Sequence, residues 1–150
     1  MRVLLIGSGG REHALATALK RDSSLTELHV APGNPGIAQI ATCHEIDIKD
    51  NSAVLSLAKN LKIDLVVVGP EAPLVNGLAD ACADENIPCF GPSKAAAKLE
   101  GSKDFAKQVM KEAVVPTAQS FTCSTKEEIE KALDTFGAPY VVKHDGLAAG

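Results

Sequence analysis

Met1-Arg2-Val3-Leu4-Leu5-Ile6 runs directly into Gly7-Ser8-Gly9-Gly10-Arg11-Glu12-His13, joining an apolar stretch to a helical pattern. The apolar stretch is too short and too β-branched for a helix of its own and predicts a buried parallel strand. Beyond the loop, Ala14, Leu15, Ala18 and Leu19 recur at helical spacing, which predicts an amphipathic helix from Arg11 to Lys20. The glycines let the backbone turn sharply and let a ligand approach without side-chain interference. Their amides, with the positive end of the helix, make a candidate anion site suited to a phosphate.

The same alternation continues along the chain. Leu28-His29-Val30-Ala31 predicts a second strand, stopped by Pro32-Gly33-Asn34-Pro35-Gly36, a turn-rich loop in which Asn34 either bonds a ligand or holds the turn. A weak strand is expected around His44-Glu45-Ile46, then a helix through Val54, Leu57 and Leu61 capped by Asp50 or Ser52. Leu65-Val66-Val67-Val68 predicts a central strand ending in Gly69-Pro70-Glu71, followed by one helix lined by Leu74, Leu78, Ala81 and Cys82 and a short strand Ile87 to Phe90. Strand-helix alternation of this kind predicts an α/β fold, a doubly wound parallel sheet with right-handed crossovers. Ligands of such sheets bind beyond the carboxyl ends of the strands where the strand order reverses. With the usual order, the first and fourth strands are neighbours, and the Gly7 to Glu12 loop faces the Gly69-Pro70-Glu71 loop.

After Gly91 the pattern changes. Ser93 and Ser102 are candidate caps of two successive helices, Lys94 to Glu100 and Lys103 to Lys111, which break the alternation and predict a domain boundary. The division expected is 1–101 and 102–150. Phe121-Thr122-Cys123 predicts a strand, and Thr125 with Glu128 fits a capping box for a helix carrying Ile129, Ala132 and Leu133. Tyr140-Val141-Val142-Lys143 predicts a last strand, leading into the Gly-rich segment His144 to Gly150, a second candidate phosphate loop. Lys143 closes an apolar run, where an anionic ligand would compensate burial of its stem.

Composition narrows the function classes. The 150 residues suffice for one domain, or one domain and part of another, and 45% hydrophobic with 23% charged residues is a globular balance. A net charge of -4, 3% aromatics and no Trp argue against nucleic acid as a partner. No apolar stretch approaches the roughly 20 residues that span a bilayer, so no membrane partner is expected. Cys43, Cys82, Cys89 and Cys123 are scattered without metal spacing, which fits free thiols in a reducing cytoplasm. No Ser-His-Asp arrangement, metal-spaced carboxylate cluster or Walker lysine motif is present. A dinucleotide reading fails twice: Glu12 stands where the third glycine is needed, and Ala31-Pro32-Gly33 stands where the ribose-binding acid is needed. Arg11 is either a phosphate clamp or an ordinary first-turn arginine, and Glu12 a carboxylate favoured by the helix dipole. His13 fits packing or capping better than base catalysis.

Six segments in order carry a family resemblance: GSGGREHAL at Gly7 to Leu15, APGNPG at Ala31 to Gly36, VVVGPEAPLVNGLAD at Val66 to Asp80, FGPSKAAAKLEGSKDFAK at Phe90 to Lys107, PTA at Pro116 to Ala118, and VVKHDGLAAG at Val141 to Gly150. Together they resemble the phosphoribosylamine–glycine ligases (glycinamide ribonucleotide synthetases) of the ATP-grasp superfamily. The resemblance implies a Rossmann-like pre-ATP-grasp sheet followed by the start of an ATP-grasp domain. It implies ATP-dependent ligation of glycine to 5-phosphoribosylamine through glycyl phosphate, giving glycinamide ribonucleotide in de novo purine synthesis. Substrate-binding roles fall on Gly9, Gly10, Arg11, Glu12, Asn34 and Glu71, and ATP-binding roles on Lys103, Lys143 and Gly146. Mg²⁺ or Mn²⁺ would accompany ATP, with ligands beyond residue 150. The family's enzymes are much longer, so the resemblance implies an inactive amino-terminal fragment of a cytoplasmic, monomeric enzyme. Where the family usually carries a small residue, this chain has His144, to which no catalytic role is assigned. The alternatives are a stand-alone sugar-phosphate-binding module and, less consistent with the motif, a dehydrogenase.

Overall fold

The computed structural model describes residues 1–147. The chain packs as two compact units, Met1–Ala97 and the residues from Lys98 onward.

The first unit is a five-stranded parallel sheet in the order β3-β2-β1-β4-β5, made of β1 (Arg2–Gly7), β2 (Glu27–Pro32), β3 (Thr42–Cys43), β4 (Leu65–Val68) and β5 (Cys89–Phe90). Its helices are α1 (Gly10–Leu19), α2 (Asn51–Asn60), α3 (Glu71–Val75) and α4 (Leu78–Asp84), with a single 3-10 turn at Ile37–Gln39. β1 lies at the centre, in register with β2 (Leu5 opposite Val30) and with β4 (Leu5 opposite Val67). Side chains alternate across a strand, so β1 feeds two cores. Leu4 and Ile6 join Val54, Ala58, Leu78 and Cys82 on one face, whereas Val3 and Leu5 join Ala16, Leu28, Val30 and Ile37 on the other. Burial on both faces explains why β1 and β4 are continuously apolar. The sheet is the doubly wound α/β sheet expected from the alternation.

Several local expectations are corrected. The third strand is Thr42–Cys43 rather than His44 to Ile46. It is a two-residue edge strand, and the chain leaves it at His44, whose ring lies against His29 at a centroid distance of 5.2 Å. The single helix expected after Glu71 is two helices. Gly77 adopts a left-handed conformation (φ 93°), which ends α3 and redirects the chain into α4. The fifth strand starts at Cys89 rather than Ile87, since Pro88 has no amide to give a ladder. The buried seam of α1 is also rotated from expectation. Glu12 and Ala16 are buried and Leu15 and Leu19 pack against the core, while Ala14 and Ala18 face outward. A carboxylate therefore heads the apolar stripe.

The helices from the end of the first unit onward are α5 (Lys94–Gly101), α6 (Lys103–Glu112) and α7 (Lys126–Phe136). Their caps follow the local sequence. Ser93 Oγ accepts from the Ala96 amide at 3.3 Å, and Ser102 Oγ accepts from the Phe105 amide at 3.1 Å. Thr125 and Glu128 form the reciprocal box at 3.2 and 3.1 Å. The strands expected at Phe121 to Cys123 and Tyr140 to Lys143 are not strands: no ladder partner lies beside either among the described residues. β-branched residues favour an extended chain, but a strand exists only where a neighbour exchanges its amides and carbonyls. Residues 148–150 of the expected second phosphate loop lie outside the described residues.

Candidate functional site at the ends of β1 and β4

Three loops meet beyond the carboxyl ends of the central strands. β1 and β4 are neighbours, so the loop after Gly7 and the loop after Val68 lie side by side, and β2 brings the Pro32–Gly36 loop to their flank. Backbone bonds tie the three together: the Gly69 amide donates to Ile6 O at 3.0 Å, and the Gly33 amide donates to Gly7 O at 3.1 Å. The strand order reverses between β1 and β4, the place where open α/β sheets hold ligands.

Glu12 organises the first loop. It is 4% exposed, yet it carries a carboxylate. Its Oε2 accepts the Gly9 amide at 2.7 Å, and its Oε1 accepts Arg11 Nε at 3.0 Å. Arg11 reaches on to Glu71, with Nη1 3.3 Å from Oε1. The guanidinium thus bridges two carboxylates, one in the first turn of α1 and one in the first turn of α3. Its proton affinity is raised above the usual arginine range by the bond to Glu12 first and the bond to Glu71 second. Glu71 is held below the usual carboxylate range, first by its own backbone amide and then by Arg11. The Arg11 side chain is 55% exposed and that of Glu71 42% exposed, so both remain reachable by a ligand. The amides of Gly10 and Arg11, at the positive end of α1, have no protein partner among the described residues.

Asn34 holds its own turn. Its Oδ1 accepts from the amides of Gly36 and Ile37, each at 2.9 Å, and its Nδ2 donates to Ser8 O at 2.7 Å. That leaves one amide hydrogen for a ligand and fastens the proline-rich loop to the glycine loop. His13 packs its ring against Gly36, where a Cβ would stand 2.7 Å from His13 Cε1.

Within the second unit, Lys103 and Gly146 come together: Lys103 Nζ donates to Gly146 O at 2.5 Å. Lys143 is exposed and has no hydrogen-bond or ion-pair partner among the described residues. Asp145, which sequence reasoning did not single out, caps α6. Its Oδ1 accepts from the Lys103 amide at 2.6 Å and the Asp104 amide at 3.2 Å, and its Oδ2 accepts from Ser102 Oγ at 3.0 Å. Those bonds, led by that from the Asp104 amide, hold its carboxyl below the usual range. The available signal was an acid directly before a glycine after an apolar run. Among the described residues no group of three or more His, Cys, Asp or Glu is arranged to hold a metal ion. None of their helices is long and apolar enough to cross a membrane.

Residues 1–100 match the family model described as phosphoribosylglycinamide synthetase, N domain, and residues 101–150 match the one described as phosphoribosylglycinamide synthetase, ATP-grasp (A) domain. The chain belongs to the phosphoribosylglycinamide synthetase family. It is 59% identical over 150 residues to the phosphoribosylamine–glycine ligase of Streptomyces coelicolor, and 52% identical over 155 aligned residues to that of Corynebacterium ammoniagenes. Both alignments cover all of this chain and 36% of the relative, so the chain spans about a third of the length of those relatives. Among solved structures, the phosphoribosylamine–glycine ligase of Thermotoga maritima superposes with a TM-score of 0.73 at 33% identity, covering 98% of this chain and 34% of that one. The phosphoribosylglycinamide synthetase of Anaerococcus prevotii shares the fold, with a TM-score of 0.65 at 24% identity, over 92% of this chain and 35% of that one.

Proposed function

We propose that the chain is the substrate-binding amino-terminal part of an ATP-dependent ligase that joins glycine to 5-phosphoribosylamine, yielding glycinamide ribonucleotide, ADP and phosphate. The observation that carries this reading is the meeting of the glycine loop and the Glu71 loop at the β1/β4 reversal, with Arg11 and the open end of α1 between them. Gly10 and Arg11 offer amides and a guanidinium to the sugar phosphate. Gly9 and Glu12 shape that cradle. Glu71 and the remaining amide hydrogen of Asn34 are suited to ribose hydroxyls or the amine.

In the reaction, the glycine carboxylate takes the γ-phosphoryl group of ATP and ADP leaves. The nitrogen of phosphoribosylamine then attacks the acyl carbon, phosphate departs and the nitrogen loses a proton. Lys103, Lys143 and the Gly146 backbone are assigned to the nucleotide phosphates, where cationic side chains offset charge on the transferring group. Mg²⁺ or Mn²⁺ accompanying ATP would neutralise phosphate charge, and no described residue is assigned to hold it. We place the boundary between sheet domain and ATP-grasp domain at residues 101 and 102. Turnover is assigned to the full-length, monomeric, cytoplasmic enzyme, with the present chain inactive alone.

Steady-state kinetics of the full-length enzyme carrying this segment test the assignment. Arg11→Ala should raise KM for phosphoribosylamine at least about tenfold (about 1.4 kcal/mol) and leave KM for ATP within about twofold. Lys143→Ala should do the reverse. Equal losses for both substrates in either variant would refute the division of roles.

A further inference from the structure

In a dinucleotide-binding turn, glycines leave room for a pyrophosphate to approach the backbone. Here the glycines of the turn face a side chain of the chain itself. A Cβ on Gly7 would stand 2.7 Å from Glu12 Cδ, one on Gly69 would stand 2.7 Å from the same atom, and one on Gly9 would stand 3.0 Å from Glu12 Oε2. Three glycines from two loops therefore converge on one carboxyl group. Gly7 meets this need with φ at +131°, a conformation that side chains rarely adopt. The Gly9 amide is bonded to Glu12 at 2.7 Å and is not available to a ligand. The half-exposed Arg11 guanidinium and the first amides of α1 remain open, enough for one phosphate group.

We propose that Glu12 determines the phosphate specificity of this loop: its buried carboxylate occupies the space between Gly7, Gly9 and Gly69, so the loop accepts a sugar monophosphate and turns away the pyrophosphate of a nucleotide or dinucleotide. The proposal rests on the sugar-phosphate reading above. Two effects act together. The carboxylate excludes a second phosphate by volume, and it repels that phosphate by like charge in a site partly closed to water. Its ion pair with Arg11 also holds the guanidinium beside Glu71.

Titration calorimetry of the 150-residue chain with ribose 5-phosphate and ADP-ribose tests this, with circular dichroism to verify folding. The wild-type chain should bind ribose 5-phosphate at least about 30-fold more tightly than ADP-ribose. Glu12→Gly should narrow that ratio at least about tenfold, because both volume and charge are removed. Glu12→Gln keeps the volume and the acceptor for the Gly9 amide, and should narrow it about threefold through charge alone. If the glycine variant does not fold, the glutamine variant decides. An unchanged ratio in the folded variants, or wild-type ADP-ribose binding equal to that of ribose 5-phosphate, overturns the role of Glu12 and leaves the sugar-phosphate reading standing. Wild-type chain that binds no ribose 5-phosphate overturns that reading and this proposal with it.

Discussion

Among the described residues every fully buried apolar side chain belongs to Met1–Ala97, whereas α6 and α7 bury none. Both regions carry amphipathic patterns and well-formed caps. What separates them is closure. In the first unit, helices cover both faces of a parallel sheet, and Leu4, Leu5 and Ile6 are completely buried. In the second, Ile129 is 45% and Val141 80% exposed, and the clearest side-chain packing is the edge-on pair Phe121 and Phe136 with centroids 5.0 Å apart. Capping and periodicity are enough to specify a helix; a core additionally needs a second layer.

The largest expected contrast is in backbone protection. Amides of Val66, Val67 and Val68 should exchange at least about 10³-fold more slowly than those of Thr122, Val141 and Val142, since the former open only with the whole sheet. Mass-spectrometric hydrogen exchange measures this, and comparable rates would dissolve the distinction between the regions. Next in size are core truncations. Leu5→Ala should cost about 2–5 kcal/mol in urea unfolding monitored by circular dichroism. Ile129→Ala should cost less than about 1 kcal/mol. A smaller effect comes from the local terms that both regions share: Thr125→Ala removes the α7 box and should lower the stability of that helix by about 1 kcal/mol, read as lost helical signal.

Acid should act on the two regions in different windows. His44 protonates less readily than its ordinary value of 6.5, through burial first and the neighbouring His29 second. The groups around it are His29, whose Nδ1 lies 3.0 Å from His44 Nε2, and beyond it Glu27 and Arg2. The folded state binds that proton less tightly than the unfolded state, so the contribution is full above 6.5 and is lost as pH falls through the folded value. Asp145 is depressed below 3.8, so its capping contribution persists to lower pH and is lost as pH falls through the folded value. NMR titration should therefore move the Thr42 and Cys43 amides before those of Lys103 and Asp104. The opposite order would contradict the assignment of those carboxylate and imidazole contacts.

Much of the first unit was legible because its determinants are local or periodic. Continuous apolar runs marked β1 and β4, and alternation with helices implied the sheet and the adjacency of the two loops. What escaped are the structural roles set by tertiary contact. Glu12 reads as a first-turn helix carboxylate, and only the approach of Gly69 from another strand turns it into a buried filler. Asp145 reads as loop, and only its meeting with Ser102 makes it a cap. The strands expected at residues 121–123 and 140–143 failed for the same reason, because strand formation depends on a partner that propensity does not supply. Asn34 lay between these cases, with ligand and turn roles both open, and the turn bonds take up most of its capacity.

In the proposed function the glycine loop and the Glu71 loop form one sugar-phosphate site, and two-dimensional amide NMR of the chain during titration with ribose 5-phosphate checks that pairing residue by residue. Saturating shifts should centre on Gly10, Arg11, Gly69 and Glu71, and should be lost in Arg11→Ala. Shifts centred on Lys103 to Leu147, or none at all at the two loops, would contradict it.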